Sequence, residues 1–392
     1  MLVSGVSGQE SCSTWSLEET LRIGALDGEQ ALTGVLDLDL DPARNAYVAQ
    51  VFTPHIAVFS STGDHLRTIG RAGSGPGEFD GWPSRLGWIG DTLWVKDHSA
   101  VKIFSPEGSE VRRIRFTYVM AEEGSEFRPG TPLADGTLLG TRVLAGDIPA
   151  FYTADSLSLP RFRPDGTLAG IVARVVQPIR VSLSDGSFAS HPLASWNGVS
   201  WVPVVVTADG TAVLFVQDNP TGSPASFELV RAGIDGRRSI VGRMPYEPRT
   251  VASSDADWLR EVFGNWLAGD YNPRPSAFLS EATLERRRLE ASRAISIPRH
   301  YPPVRELVAG RDSTIWVLRE LSPPDLVDRW EVYGPDGDLE GSLTIRDGRS
   351  SPVPWLPRLK IFQASRDEVW GMTTDDFDVP YIHRYRVRRG CN

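Results

Sequence analysis

Lysine is almost missing from this chain. Of 41 basic residues only Lys96, Lys102 and Lys360 are lysines, and the rest are arginines. A coding bias accounts for such a preference by itself, but arginine is also the side chain whose planar fork fits carboxylate and phosphate groups. Cysteine is scarce too. Cys12 and Cys391 are the only two, one near each end, which leaves no reactive-cysteine constellation. No run of about 18 apolar residues occurs, so no transmembrane helix is predicted. Positive charge is not in excess. A net charge of −9 argues against a broad nucleic-acid or acidic-membrane surface.

What is present is the material of a large β protein. The chain is 41% hydrophobic and 23% charged, which is ordinary for a soluble globular fold. Its 37 Gly and 29 Pro can punctuate many short strands, and 12 Trp with 15 Phe can fill several cores. A pattern recurs: an apolar strand, a turn, a strand such as "TLWVKD", a loop, "VKIFSPEG" and a last strand such as "SEVRRI". Copies fall at about 35–70, 82–116, 131–175, 201–243, 303–345 and 356–388. Five share a late hairpin turn whose glycines are Gly63, Gly108, Gly166, Gly236 and Gly337, each at a position that demands positive φ. The last copy stops after three strands, and "STWSLEETLRIG" at 13–24 reads as the strand that completes it and closes a ring. In such a ring Cys12 and Cys391 are brought near one another. A disulfide there would imply an oxidising compartment; the alternative is two unpaired thiols. The leading "MLVSGVSGQES" lacks a basic and a full apolar region, so it is not a signal peptide as it stands. Val6-Ser7-Gly8 looks like the tail of one, and export to the periplasm or outside the cell is expected. Residues 244–301 break the pattern with two helical stretches, near 253–269 and 280–294, capped by Ser253 or Ser254 and by Ser280.

At "GRAGSGPGEFDGWPSRLGWIGDTLWVKDHSAVKIFSPEG", residues 70–108, the chain resembles the NHL-type six-bladed β-propellers, most of all bacterial, often exported members with no assigned activity. The resemblance is specific over the first two copies and absent from the helical stretch. It implies an all-β, six-bladed, single-domain fold over 1–392, with 244–301 as an insertion on the channel-mouth face. Relatives of that kind bind peptides, proteins or RNA, or are lyases or lactonases with a metal in the central channel. No catalytic motif of theirs stands in register here.

The candidate site follows from aligning the copies. Arg85, Arg128, Arg305 and Arg358 each stand about nine residues before the second strand of their copy, so they point to one channel mouth. Four converging arginines repel one another unless they pair with Asp or Glu between blades or receive an anion. Trp82 and Tyr301 stand beside two of these positions as ring partners for a ligand. The loops between second and third strands rise on the same face and carry His55, His98, Asp375 and Asp376. With His300, these are candidate ligands for a divalent metal, Ca or Zn. "GSGPGEF" precedes a strand and not a helix, so it is a connector and not a phosphate cradle. The expected function is a monomeric binding or scaffold propeller whose Arg-lined mouth holds a small anionic ligand, peptide or protein partner, with no nucleic acid bound. The alternative is a metal-dependent hydrolase or lyase using His and Asp at that mouth.

Overall fold

The computed structural model describes residues 14–28, 30–115, 119–120, 125–144, 156–176, 180–181, 203–268, 280–319, 327–346, 358–377 and 379–390. Cys12 and Cys391, and so the expected disulfide, lie outside them. The chain opens with β1 (Thr14–Ile23), followed by a first meander of β2 (Val35–Leu40), β3 (Ala46–Gln50), β4 (Ile56–Phe59) and β5 (His65–Ile69). The second meander is β6 (Arg85–Ile89), β7 (Thr92–Lys96), β8 (Ala100–Phe104) and β9 (Glu110–Arg115). A short β10 (Val119–Met120) edges the third, which is β11 (Ser125–Pro132), β12 (Leu138–Leu144), β13 (Ser156–Phe162) and β14 (Leu168–Val176). After β15 (Arg180–Val181) comes the fourth: β16 (Val204–Val206), β17 (Ala212–Asn219), β18 (Ser226–Gly233) and β19 (Arg238–Pro245). Helices α1 (Ser253–Ala268) and α2 (Glu281–Ala294) and the short β20 (Ile295–Ser296) follow. The fifth is β21 (Val304–Ala309), β22 (Ile315–Arg319), β23 (Asp328–Tyr333) and β24 (Leu339–Ile345). Last come β25 (Lys360–Ala364), β26 (Glu368–Thr374) and β27 (Pro380–Gly390).

Each meander is antiparallel throughout, and β1 joins the last one by pairing with β27 from Thr14↔Gly390 to Ile23↔Ile382. This is the closing strand that the sequence leads one to expect. Side chains reinforce it: Glu18 pairs with Arg388 at 2.6 Å and Glu19 meets His383 Nδ1 at 2.7 Å. One detail differs from six separate blades. The first residues of β1 also pair parallel with β24 (Thr14↔Ser342, Trp15↔Leu343), so the last two meanders form one eight-stranded sheet beside four separate ones. Trp15 sets this seam, because its ring is buried against Trp316 at 5.7 Å and occupies the space a side chain at Gly341 would need.

The middle strands are buried at every residue in β3 and β4, whereas the fourth strands alternate or face water. Burial on both faces means that the sheets cover one another. The buried clusters show the order. Tyr47, Ile56 and Val58 of the first meander pack on Leu86, Val95 and Phe104 of the second. Trp94 and Val101 meet Leu138 of the third, and Leu159 and Val175 meet Val213 and Phe215 of the fourth. Leu214 and Phe227 pack on Val304, Leu307 and Val317 of the fifth. Trp316, Trp330 and Val332 pack on Ile361 and Val369 of the last, whose Trp370 and Ile382 return to Leu38 and Val48 of the first. Face-to-face packing that returns to its start is a propeller-like arrangement. The first strands are neighbours around its axis: β6 lies beside β2, β2 beside β25, β25 beside β21 and β21 beside β16.

The helices pack on each other, and Ser280 caps α2 by accepting the Thr283 N–H at 3.3 Å. The segment is tied down at both ends by the Thr250–His300 bridge and by β15 pairing with β20. No helix among the described residues is long and apolar enough to cross a membrane.

The five expected hairpin glycines all have positive φ, between 83° at Gly236 and 92° at Gly108. Two of them separate local strain from packing. A Cβ at Gly236 would meet nothing within 4 Å, whereas one at Gly337 would stand 2.2 Å from the Val241 carbonyl oxygen. Gly236→Ala should therefore lower unfolding free energy by about 1–2 kcal/mol, the left-handed penalty alone. Gly337→Ala should cost clearly more, because backbone must move. Denaturant unfolding of both variants checks this, and equal losses would mean that the fifth meander's turn does not press on β19.

Candidate functional site

The first strand of each meander has one edge with no strand beside it, so its N–H groups need other acceptors. The sequence of β2, Val-Leu-Asp-Leu-Asp-Leu, supplies them. Leu38 and Leu40 are buried between sheets, and the alternating Asp37 and Asp39 face the axis. The Leu86 N–H donates to Asp37 Oδ2 at 3.1 Å, and the Trp88 N–H donates to Asp39 Oδ2 at 2.9 Å. These matched steps, two residues apart on both strands, show β2 and β6 running side by side in the same direction. Asp328 and Asp312 of the fifth meander bond the backbone just outside β25, accepting the Arg358 and Arg366 N–H groups.

The axis therefore has two unlike ends. At the end where first strands turn into second strands, charges are paired. Arg311 reaches Asp39 (3.7 Å) and donates to the Leu40 carbonyl (3.0 Å), Arg366 holds Asp312 (3.2 Å) and Glu340, and Arg44 meets Glu368. At the end where first strands begin stand Asp37, Arg85, Glu306 and Lys360, from β2, β6, β21 and β25. They feel one another electrostatically. Among the described residues, however, the Lys360 ammonium makes no ion pair, so its separation from each carboxylate exceeds the roughly 4 Å of a salt bridge. Its ring contact is Phe362, with Nζ 5.0 Å from the centroid. A cation–π contact is worth about 0.5–1 kcal/mol at such a site and does not replace an ionic partner. The four groups thus influence one another without a direct ion pair among the described residues.

Their surroundings move their protonation equilibria. All but Arg85 are half-buried. Burial raises Glu306 to about 7 against the opposing pull of Lys360 and Arg305, with Asp328 adding to the rise. Burial raises Asp37 despite Arg85, the Leu86 N–H and Lys360. Burial lowers Lys360, which Glu306 and Asp37 resist and Arg85 assists. Near neutral pH this end can both accept and release protons.

The four arginines fare differently. Arg85 is exposed. Arg305 pairs with Asp328, both nearly buried, and its Nε has no hydrogen-bond partner among the described residues. Its role is the between-blade pairing that competes with anion binding. Arg358 lends its backbone N–H to the same Asp328, and its guanidinium reaches the Arg346 carbonyl at 3.5 Å. Arg128 lies in β11, with its side chain outside the described residues. Trp82 lines a cleft of about 310 Å³ beside Phe52, Pro54 and Phe79, with the two indole and phenyl rings edge to face at 5.4 Å. Tyr301 is buried; its hydroxyl donates to Asp255 Oδ2 at 2.9 Å and so pins α1.

The proposed metal ligands are not gathered. Among the described residues no group of three or more His, Cys, Asp and Glu side chains could hold a metal ion. His98 is exposed, and His55 sits near His65 with its pKa lowered by burial. His300 neighbours Asp218. Asp375 instead organises its own loop, accepting the Phe377 and Val379 N–H groups at 2.9 and 3.0 Å, and Asp376 is exposed beside it. Asp97, another loop acid, is buried with Lys102 and accepts the Asp80, Ser99 and Ala100 N–H groups, a structural duty.

No family model matches the chain, and no curated protein matches it. Solved structures show distant likenesses. One is a protein described as exported from Bacteroides fragilis, 13% identical, covering 98% of each chain with a TM-score of 0.48. Another is virginiamycin B lyase from Staphylococcus aureus, 9% identical over 95% of this chain and 99% of that one, TM-score 0.40. A third is regucalcin, a calcium-binding protein from Agrobacterium tumefaciens, 10% identical over 96% and 97%, TM-score 0.41. The site is read from its own geometry.

The raised Glu306 has a consequence for stability. The folded protein keeps that proton through the range in which the unfolded chain, near 4.5, releases it. The stabilisation is full below the unfolded value and is lost as pH rises through about 7. Glu306→Gln removes the titration. Its melting temperature relative to the natural protein should therefore rise between about pH 5 and about pH 8. A difference that stays flat or falls over that range would show that burial does not govern Glu306.

Proposed function

We propose that the protein is a six-bladed, NHL-type propeller that holds a small anionic ligand at the open end of its axial channel. The two halves of the eight-stranded sheet are taken as two blades, which the shared four-strand meander and the recurring positive-φ turn support. Arg85 and Lys360 supply the cationic contacts. Glu306, raised to about 7, supplies a hydrogen bond from the opposite side, beside Asp37. The observation that carries this is the contrast between the two ends: one set of charges is ion-paired, whereas Asp37, Arg85, Glu306 and Lys360 influence one another with no ion pair among the described residues. A carboxylate fits best, because it can take the Arg85 fork with one end while its neighbouring polar group meets a protonated Glu306. Arg305 and Arg358 belong to the wall through Asp328 and contribute positive field to the mouth without being the ligand's main contacts.

Calorimetric titration with small mono- and dicarboxylates, phosphate and sulfate tests this. Hydrogen bonds to charged groups are worth about 1.5–3 kcal/mol, so Arg85→Ala should weaken binding of the best anion about tenfold to a hundredfold. Lys360→Met should do likewise. Binding that is unchanged in Arg85→Ala, or absent for every anion in the natural protein, overturns the proposal.

A further inference from the structure

The cleft of about 310 Å³ beside Trp82 takes no part in the proposed anion site. One of its walls is the turn between β3 and β4, with Phe52 and Pro54. The other is the connector from β5 to β6, with Phe79, Asp80 and Trp82. The Phe52 and Trp82 rings stand 5.4 Å apart and 79° from parallel, so they make a corner. Phe52 is 49% exposed and sits at a φ of 64°, a backbone region that bulky side chains avoid. Its turn is held there on both sides. The Thr33 hydroxyl donates to the Val51 carbonyl at 2.9 Å, the Thr33 N–H donates to Gln50 Oε1 at 2.8 Å, and the Val51 N–H donates to the Gly34 carbonyl at 2.8 Å. A strained residue that its surroundings fix in place is a recurring feature of ligand clamps. The facing wall is fixed as well: Ala72 bridges Phe79, and the Asp80 N–H donates to Asp97 Oδ2 at 3.0 Å. The rings are therefore in place before anything binds, which spares a ligand the cost of ordering them.

Charge decides what fits this corner. Asp80 is the one charged side chain lining the cleft; it is exposed, and its carboxylate has no hydrogen bond or ion pair among the described residues. The basic side chains nearest in the fold are engaged elsewhere, Arg71 with Glu78 at 2.8 Å and Lys102 with Asp97. Aromatic faces attract cations, and a carboxylate at the edge adds to that attraction. We propose that the cleft binds a small methylated ammonium of the kind that choline carries. Such a cation is round, so it touches both walls of a corner at once, whereas a flat guanidinium lies against one. It also has no N–H groups, so it asks for no hydrogen bonds from a lining of rings, proline and glycine. A primary ammonium would bring three donors to a single carboxylate. The contacts come from Phe52, Trp82 and Asp80, none of which belongs to the anion site, so neither proposal depends on the other.

Calorimetric titration of the full chain tests this with four probes: tetramethylammonium, choline, guanidinium, and the uncharged isostere of choline in which a tert-butyl group replaces the trimethylammonium. The expected result is one equivalent of either methylated cation bound, with the isostere about tenfold weaker or more, the effect of a cation on two ring faces. Trp82→Ala should weaken choline about tenfold, and Trp82→Phe, which keeps a ring in the wall, should lose less. Asp80→Asn keeps the shape of an exposed side chain and should weaken choline about tenfold at an unchanged melting temperature. Choline and its isostere binding equally would show an apolar cleft with no preference for charge, which overturns the proposal. Guanidinium binding better than tetramethylammonium overturns it too, as does choline binding that ignores Asp80→Asn, or no binding of either methylated cation.

Discussion

The constraint on which this molecule depends is the unpaired edge of its first strands. A sheet edge facing the axis leaves backbone N–H groups without partners, and an unsatisfied buried donor costs about 1–3 kcal/mol. On β6 the acceptors are carboxylates from the neighbouring meander, Asp37 for Leu86 and Asp39 for Trp88, while Asp328 and Asp312 bond the Arg358 and Arg366 N–H groups on either side of β25. The β6 edge is thereby satisfied and the first two sheets are held in register. The same solution puts acidic groups in a desolvated place, and desolvated acids demand counter-charges or protons.

The two ends answer that demand in different ways. Where first strands turn back, Arg311, Arg366 and Arg44 pair with Asp39, Asp312 and Glu368, although burial still raises Asp39 to about 6. Where they begin, Asp37 and Glu306 have Lys360 and Arg85 near them but no ion pair among the described residues, and burial raises the carboxyls and lowers the amine. A structure stabilised only for its own sake would pair these groups as it pairs Lys102 with Asp97. Buried charges left short of contact are a common mark of a site whose partner is a ligand.

Much of the fold was legible in the residues. The Gly63, Gly108, Gly166, Gly236 and Gly337 turns and the completing strand at 14–23 stand where the repeat places them, because φ sign and strand length are local properties. The joining of β1 to β24 was not legible, since it depends on how one Trp15 ring sits over Gly341. Of the candidate site, alignment pointed to Arg85, which opens β6, and to Arg305, which pairs with Asp328. It missed Asp37, Glu306 and Lys360. Alternation such as Leu-Asp-Leu-Asp reads as a half-buried strand with a solvated polar face, and only the ring turns that face inward. One signal was on view: a lysine in an arginine chain, on an inner strand. The loop acids and histidines were attractive by residue type alone, and loops such as that of Asp375 use their carboxylates on their own backbone.

Because the chain has so few lysines, the central claim can be read directly. Carbon-13 NMR of the lysine side chains gives one signal for each of Lys96, Lys102 and Lys360, assigned by Lys360→Arg. The account predicts that the Lys360 signal titrates below the ordinary lysine value of 10.5 and shifts when a small carboxylate is added. A Lys360 that titrates at or above 10.5 and ignores added carboxylates would contradict it.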